Sequence, residues 1–495
     1  MYLDCTRGAQ KVLRILVSLA AVLAAGKNIF RKGARSTHQE HIDSFSVVGR
    51  RLYPGRCGAA PANLSDHATV KVLTASGLIR HGTMEAIVRK SAERRMNMNG
   101  DSQDSHQVFL RLGERLSEHA MLDLTKRLIA IPSENPPGNQ YEECARTLVT
   151  ELETLNFDDV RREGACVLAS AGTGPRTLYF SGHFDVVPAQ NRDQFQPRVE
   201  GQNLFGRGSS DMKSGLAAMI YAAAAARDEG LLTCGRIGIM LVPDEETAGP
   251  RGSRDLVARG VLGKDGIGML TPEPTGGVVW NANRGAVTLR VIVRGKSAHV
   301  GRQFEGVNAF ERALPGMMRV AEIKKEVELR QTKYRIAPAG ALKSILLLGG
   351  RVEAGTNFNV TPDFCSFTID RRINPEEGLE EEELRLRDAL KEFEIETLQK
   401  EPSAATPAED PLGRILSRHI TQITGKEATF EMCPGLLETR FYAARGIPAL
   451  AYGPGLLNVS HGPNEFVPIR NIAQCALIYA LTAAEALNRD AYSCA

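Results

Sequence analysis

From residue 117 onward the apolar positions fall into helical and strand-like periods that alternate along the chain. SEHAMLDLTKRLIAIPS (117–133) has apolar residues at helical spacing and predicts a helix ending at Pro132. ENPPGN is a turn, and YEECARTLVTELETLNF (141–157) predicts a second amphipathic helix. RTLYFSGHFDVVP (176–188) predicts a buried strand running into a loop. A helix over 214–229 and the strand RIGIMLVPDEE (236–246) follow. Alternating strands and helices predict an α/β layered domain.

The rhythm changes near residue 285. AVTLRVIVRG (286–295) alternates like a half-buried strand, and 308–330 is helical, with a kink or break expected at Pro315. Residues 344–372 predict two strands and EEGLEEEELRLRDALKEFEIETL (376–398) a charged helix. The order β-α-β-β-α-β is that of a ferredoxin-like α+β unit. EPSAATPAEDP (401–411) reads as a linker. The last 90 or so residues resume α/β character and end in the helix NIAQCALIYALTAAEAL (471–487).

Charge sets the front of the chain apart. Residues 1–99 hold 16 Lys/Arg and 6 Asp/Glu, a net of +10, whereas the whole 495-residue chain is +3, leaving −7 for the rest. Residues 12–26 are the one candidate targeting segment, but they are too short and carry Arg14, so a membrane span is not expected. Residues 1–116 are expected to be a basic, poorly ordered extension. An upstream start codon would explain it, with Met84, Met96 or Met98 as the natural start. Nucleic-acid binding is not expected of the acidic body. Nine scattered cysteines without a CxxC pair argue for reduced thiols in the cytoplasm.

The chemistry-bearing residues lie at strand ends and loops. In GRGSSDMKSG (206–215), Asp211 sits where a Gly-rich turn enters a helix. That is a functional position in open α/β sheets, and equally a helix N-cap. His183 and Asp185 in SGHFDVVP share one side of an extended segment, so His183 is a candidate ligand and Asp185 a partner for its other ring nitrogen. Glu245 and Glu246 end a hydrophobic strand, where one carboxylate could bind a metal and the other act as a base. Glu273 in TPEPTG and His461 in SHGPNEFVP complete the set. Two histidines and several carboxylates without a thiolate suit a hydrolytic zinc or cobalt site.

GHFDVVP, GRGSSDMKSG, PDEETAG, EPTG, GKSAHVG and SHGPNEFVPI occur in the order and rough spacing of one family. Over residues 117–490 the chain resembles the co-catalytic metallopeptidases and deacylases that include acetylornithine deacetylase, succinyl-diaminopimelate desuccinylase, aminoacylase and glutamate carboxypeptidase. The resemblance implies a catalytic domain of helices around a central mixed sheet (117–284 and 403–495). It also implies an inserted ferredoxin-like lid and dimerisation domain (285–402). Asp211 would bridge two divalent ions, zinc first and cobalt second. His183 and Glu273 would complete one site, Glu246 and His461 the other. Glu245 would be the general acid/base acting on a metal-bridging hydroxide, and Asp185 would orient His183. His299 would stabilise the oxyanion, across the subunit interface in dimeric members, while Asn359 and Arg372 would contact substrate. The implied substrate is an N-acyl amino acid or small peptide, with a dipeptidase or carboxypeptidase as the alternative. A non-catalytic binding protein on the same fold would be expected to lose a ligand or the base, and none is lost. Glu438 stands where members often carry Asp.

Overall fold

In a computed structural model, residues 84, 86–91 and 103–488 are described. The expectations for residues 12–26 and for start sites at Met96 and Met98 lie outside them. Regular structure is present before residue 117, contrary to expectation. Helix Gln103–Arg115 buries Phe109 and Leu112 in the main core, beside Ile87. Ser117 then caps helix Glu118–Ala130 by accepting the Ala120 N–H.

The strands are β1 (Asp158–Glu163), β2 (Cys166–Gly172), β3 (Arg176–His183), β4 (Arg198–Glu200), β5 (Asn203–Phe205), β6 (Gly235–Val242), β7 (Gly266–Thr271), β8 (Val279–Asn283), β9 (Gly285–Arg294), β10 (Ile345–Ala354), β11 (Phe364–Ile373), β12 (Glu394–Glu401), β13 (Ala404–Ala405), β14 (Phe430–Cys433), β15 (Ala449–Ala451) and β16 (Phe466–Pro468). The main sheet is mixed and runs β1-β2-β6-β3-β7-β15-β8-β13, with β14 also on β8. Its centre, β6-β3-β7-β15, is parallel. Those strands are apolar because helices cover the sheet. The Ala-rich helix Lys213–Asp228 and helix Ile469–Ala486 pack on each other, both almost wholly buried.

A separate antiparallel sheet, β10-β11-β9-β12, carries helices Ala309–Val327 and Leu379–Ala389. The alternation of β9 puts Val287, Leu289, Val291 and Val293 into this second core. The fold is therefore α/β with an inserted ferredoxin-like lid. Two local expectations fail. The charged helix stops at Ala389, and Glu394–Glu401 is β12, the ladder partner of β9. Pairing along β9 outweighs the helix propensity of the Glu-rich run. Helix Ala309–Val327 continues through Pro315, its flanking turns held by burial of Ala313, Gly316 and Val320. The linker also carries β13, which pairs with β8.

Candidate metal centre

Three neighbouring parallel strands aim their carboxyl ends at one place. β3 ends on His183, β6 runs into Asp244-Glu245-Glu246, and β7 runs into Pro272-Glu273. Crevices at such strand ends are where open α/β sheets bind ligands. Asp211 arrives from the turn after β5, and His461 from the loop after β15.

Asp211 faces both histidines. Its Oδ1 is 3.2 Å from His183 Nε2, and its Oδ2 is 3.3 Å from His461 Nε2, which lies 3.2 Å from Glu246 Oε2. Two groups of potential ligands result, His183–Asp211–Glu273 and Asp211–Glu246–His461, with candidate atoms in each within 4.8 Å of one another. Asp211 Oδ1, Glu246 Oε1 and Glu273 Oε1 are buried without a hydrogen-bond partner. Buried carboxylate oxygens are costly when unpaired. Three converging here fit divalent cations.

Electrostatics follow from this crowding. Burial pushes the Glu246 carboxyl up to about 7, and Glu245 and Glu273 upward as well. Burial opposes ionisation of Asp211 too, but its close contacts with His183 and His461 win and hold it below the ordinary carboxylate range. Hydrogen bonds to Asp211 and Glu246 raise His461 to about 10.

The helix-cap alternative for Asp211 does not hold. Met212 occupies the N-cap and no side chain caps the helix. Ser210 Oγ is engaged with Leu456, donating to its carbonyl and accepting its N–H. Asp185 does more than face His183. His183 Nδ1 lies 3.0 Å from the Asp185 carbonyl and 3.4 Å from its Oδ1. The Asp185 carboxylate accepts the Glu245 and Glu246 N–H groups and the Asn135 amide. Asp185 thus meets the histidine chiefly through its carbonyl, while its buried carboxylate holds the backbone of both glutamates. Asp244, at φ 64°, holds the same turn through Tyr141 and Arg251.

Sequence reading missed Glu465. Its Oε1 accepts the N–H groups of Gly208 (3.0 Å), Ser210 (3.0 Å) and Asp211 (3.1 Å), while Oε2 pairs with buried Arg207. Arg207 also donates to the His461 carbonyl. Pairing of β16 with β5 sets Glu465 beside this turn, which needs φ +82° at Gly208. Gly215 is small for another reason: a Cβ there would meet the Pro272 carbonyl at 2.5 Å, next to Glu273.

Arg372 lines the cavity above these residues, its Nε 2.8 Å from Asp370 Oδ1. His299 and Asn359 do not line it. His299 is exposed on the lid, its Nδ1 accepting the Gly301 N–H, and the Asn359 carbonyl accepts the Val300 N–H. Glu438 is buried next to lining residue Leu437 without itself lining the cavity, and accepts a hydrogen bond from Ser253.

Fold and site together define a metal-dependent hydrolase of amide bonds. The chain belongs to peptidase family M20/M25/M40, whose profile matches residues 179–485. It is 29% identical over 284 residues to a probable succinyl-diaminopimelate desuccinylase of Staphylococcus aureus (strain MRSA252), covering 52% of this chain and 69% of that one. It is 32% identical over 219 residues to the succinyl-diaminopimelate desuccinylase of Buchnera aphidicola subsp. Acyrthosiphon pisum (strain Tuc7), covering 41% and 57%. Among solved structures, an M20 family metallo-carboxypeptidase from Sulfolobus solfataricus superposes with a TM-score of 0.61 at 17% identity, over 74% of this chain and 98% of that one.

Proposed function

We propose that the protein hydrolyses the amide bond of a small N-acyl amino acid or dipeptide. The observation that carries this reading is the sharing of Asp211 between two ligand groups, with orphaned carboxylate oxygens in both. His183, Asp211 and Glu273 would hold one divalent ion, and Asp211, Glu246 and His461 the other. Imidazole and carboxylate donors without thiolate favour zinc, with cobalt second. When bound, the ions supply Lewis acidity that polarises a carbonyl and acidifies water.

Glu245 is the proposed acid/base. Its Oε2 lies 4.0 Å from His183 Nε2, lines the cavity, and belongs to neither ligand group. It takes a proton from the attacking water and returns it to the leaving nitrogen. Burial raises its carboxyl toward the range where one group performs both transfers near neutral pH. Arg372 is the proposed partner of the substrate carboxylate. Exposed His299, outside its own chain's cavity, supports a role at a partner's site in a homodimer, with Asn359 nearby contacting substrate. Phe310, Leu314 and Met318 form an exposed apolar stripe on the lid helix, and β10 is the edge of the lid sheet, which supports pairing there. No described helix is long and apolar enough to cross a membrane. The six described cysteines are unbridged, which supports the cytoplasm.

The test is a panel of N-acyl amino acids and dipeptides with zinc- or cobalt-loaded protein and its Glu245→Ala variant, with metal content measured on both. The variant is expected to keep its metal and lose turnover by about 100-fold or more. Near-normal turnover would end the assignment of Glu245, and no hydrolysis by fully loaded wild type would end the substrate reading.

A further inference from the structure

Of the five candidate ligands, His461 alone has its backbone in the left-handed region, at φ 64°. A side chain is crowded by the backbone there, and such residues persist where their surroundings over-determine them. The imidazole is also half exposed, on the loop between β15 and β16, so burial does little to fix it.

The groups that hold this backbone come chiefly from another loop, the one that leaves β3 just after His183 and Asp185. Gln190 Nε2 donates to the His461 carbonyl at 2.9 Å, beside Arg207 Nη2 at 3.1 Å. Gln194 Nε2 donates to the next carbonyl, that of Gly462, at 3.0 Å. Both glutamine amides are engaged at both ends. Gln190 Oε1 accepts from Arg207 Nη2 at 3.1 Å, and Gln194 Oε1 accepts the Gln190 N–H at 2.7 Å. A carbonyl can be met only by the NH2 end of an amide, so these partners fix which way each amide points. Two consecutive carbonyls at the strained residue are thus gripped by three side-chain donors.

The grip is confined to one ligand group. The side-chain hydrogen bonds of the two glutamines run to Arg207, to residues 461 and 462, and to their own loop. Arg207 meets Glu465 through its other terminal nitrogen, Nη1, and Glu465 holds the turn of Asp211 without help from either glutamine.

We propose that Gln190 and Gln194 are positioning residues for one ion only, that of the Asp211–Glu246–His461 group. They keep the His461 backbone left-handed, which keeps Nε2 aimed at Asp211 and Glu246. This rests on the two-ion reading above and adds that the two ions are supported by different parts of the chain.

The experiment titrates zinc into metal-free, full-length protein against a chromogenic chelator, with thermal denaturation as the check on folding. Gln190→Met, at an exposed position, is expected to weaken one ion about 3-fold, and Gln190→Met with Gln194→Met about 10-fold. The other ion should stay within 2-fold. Two backgrounds assign the loss: with Glu273→Ala the weakened step should be the one that remains, and with Glu246→Ala the remaining step should be indifferent to both glutamines. Equal losses at both ions, or less than 2-fold change at either in the folded variants, would overturn the proposal while leaving two-ion binding standing. Wild type that binds fewer than two zinc ions per chain would instead remove the two-ion reading, and this inference with it.

Discussion

Glu465 offers the sharpest test of how the centre is held together. Replacing it with alanine would orphan three buried N–H groups, those of Gly208, Ser210 and Asp211, and leave Arg207 buried without its counter-charge. Each orphaned donor costs about 1–3 kcal/mol, and breaking a buried pair from one side about 3–5 kcal/mol. These contributions are not additive, but together they rival the stability of a whole domain. Glu465→Gln is the better perturbation. It keeps an oxygen for the N–H groups but turns an amide NH2 toward Arg207 and leaves that guanidinium without its counter-charge, at a cost of about 3–5 kcal/mol. The turn carrying Asp211 and the carbonyl of His461 both hang on this pair, so affinity for both ions should fall about 10- to 100-fold. Competition against a chromogenic chelator measures that loss, and thermal denaturation confirms folding. Much of the turnover should return at saturating metal, and Glu465→Asp should restore part of the affinity. Unchanged affinity for both ions in a folded Glu465→Gln protein would refute the reasoning.

Asp211→Ala should abolish binding of both ions together, whereas Glu246→Ala and Glu273→Ala should each weaken mainly one; metal counting per chain distinguishes the outcomes. With no cation bound, Glu246 titrates at about 7 and His461 at about 10, so metal binding near neutral pH should expel protons. Calorimetry in buffers of different ionisation enthalpy should show this, with affinity rising as pH increases through 7. Chelation should lower the melting temperature, since an ion at 100 times its Kd contributes about 2.7 kcal/mol. In the lid, burial opposes ionisation of Glu382, but hydrogen bonds from Arg330 and Arg371 outweigh it and hold its carboxyl below 4.5. Its stabilisation is therefore present above pH 4.5 and lost as pH falls through the folded value. Glu382→Gln should lower stability near neutral pH by about 1–3 kcal/mol and flatten that acid dependence in denaturation curves.

The ends of apolar strands were legible because burial on both faces writes continuous hydrophobic runs, and the next polar residues then stand out. That is how Glu245, Glu246 and Glu273 are visible, each just past β6 or β7. Asp211 was legible as a functional turn residue, but not as distinct from a cap, since both roles use one carboxylate in one place. Glu465 was hidden although its motif was in view. Its task depends on β16 pairing with β5 across some 260 positions, and no local period encodes that register. The overrun of the charged helix into Glu394–Glu401 has the same origin, because that strand is defined by its ladder with β9.

The place of β15 has a consequence for how the molecule comes into being. β7 and β8 follow one another along the chain, yet β15, from the last fifty residues, lies between them in the sheet. A nascent chain that has just emerged with the first eight strands cannot close the gap, and it lacks His461 as well. The sheet and the second ligand group must both wait for the carboxyl-terminal segment to thread home. A polypeptide released early thus retains Asp211, Glu246, Glu273 and His183, but neither the finished sheet nor the second group of candidate ligands.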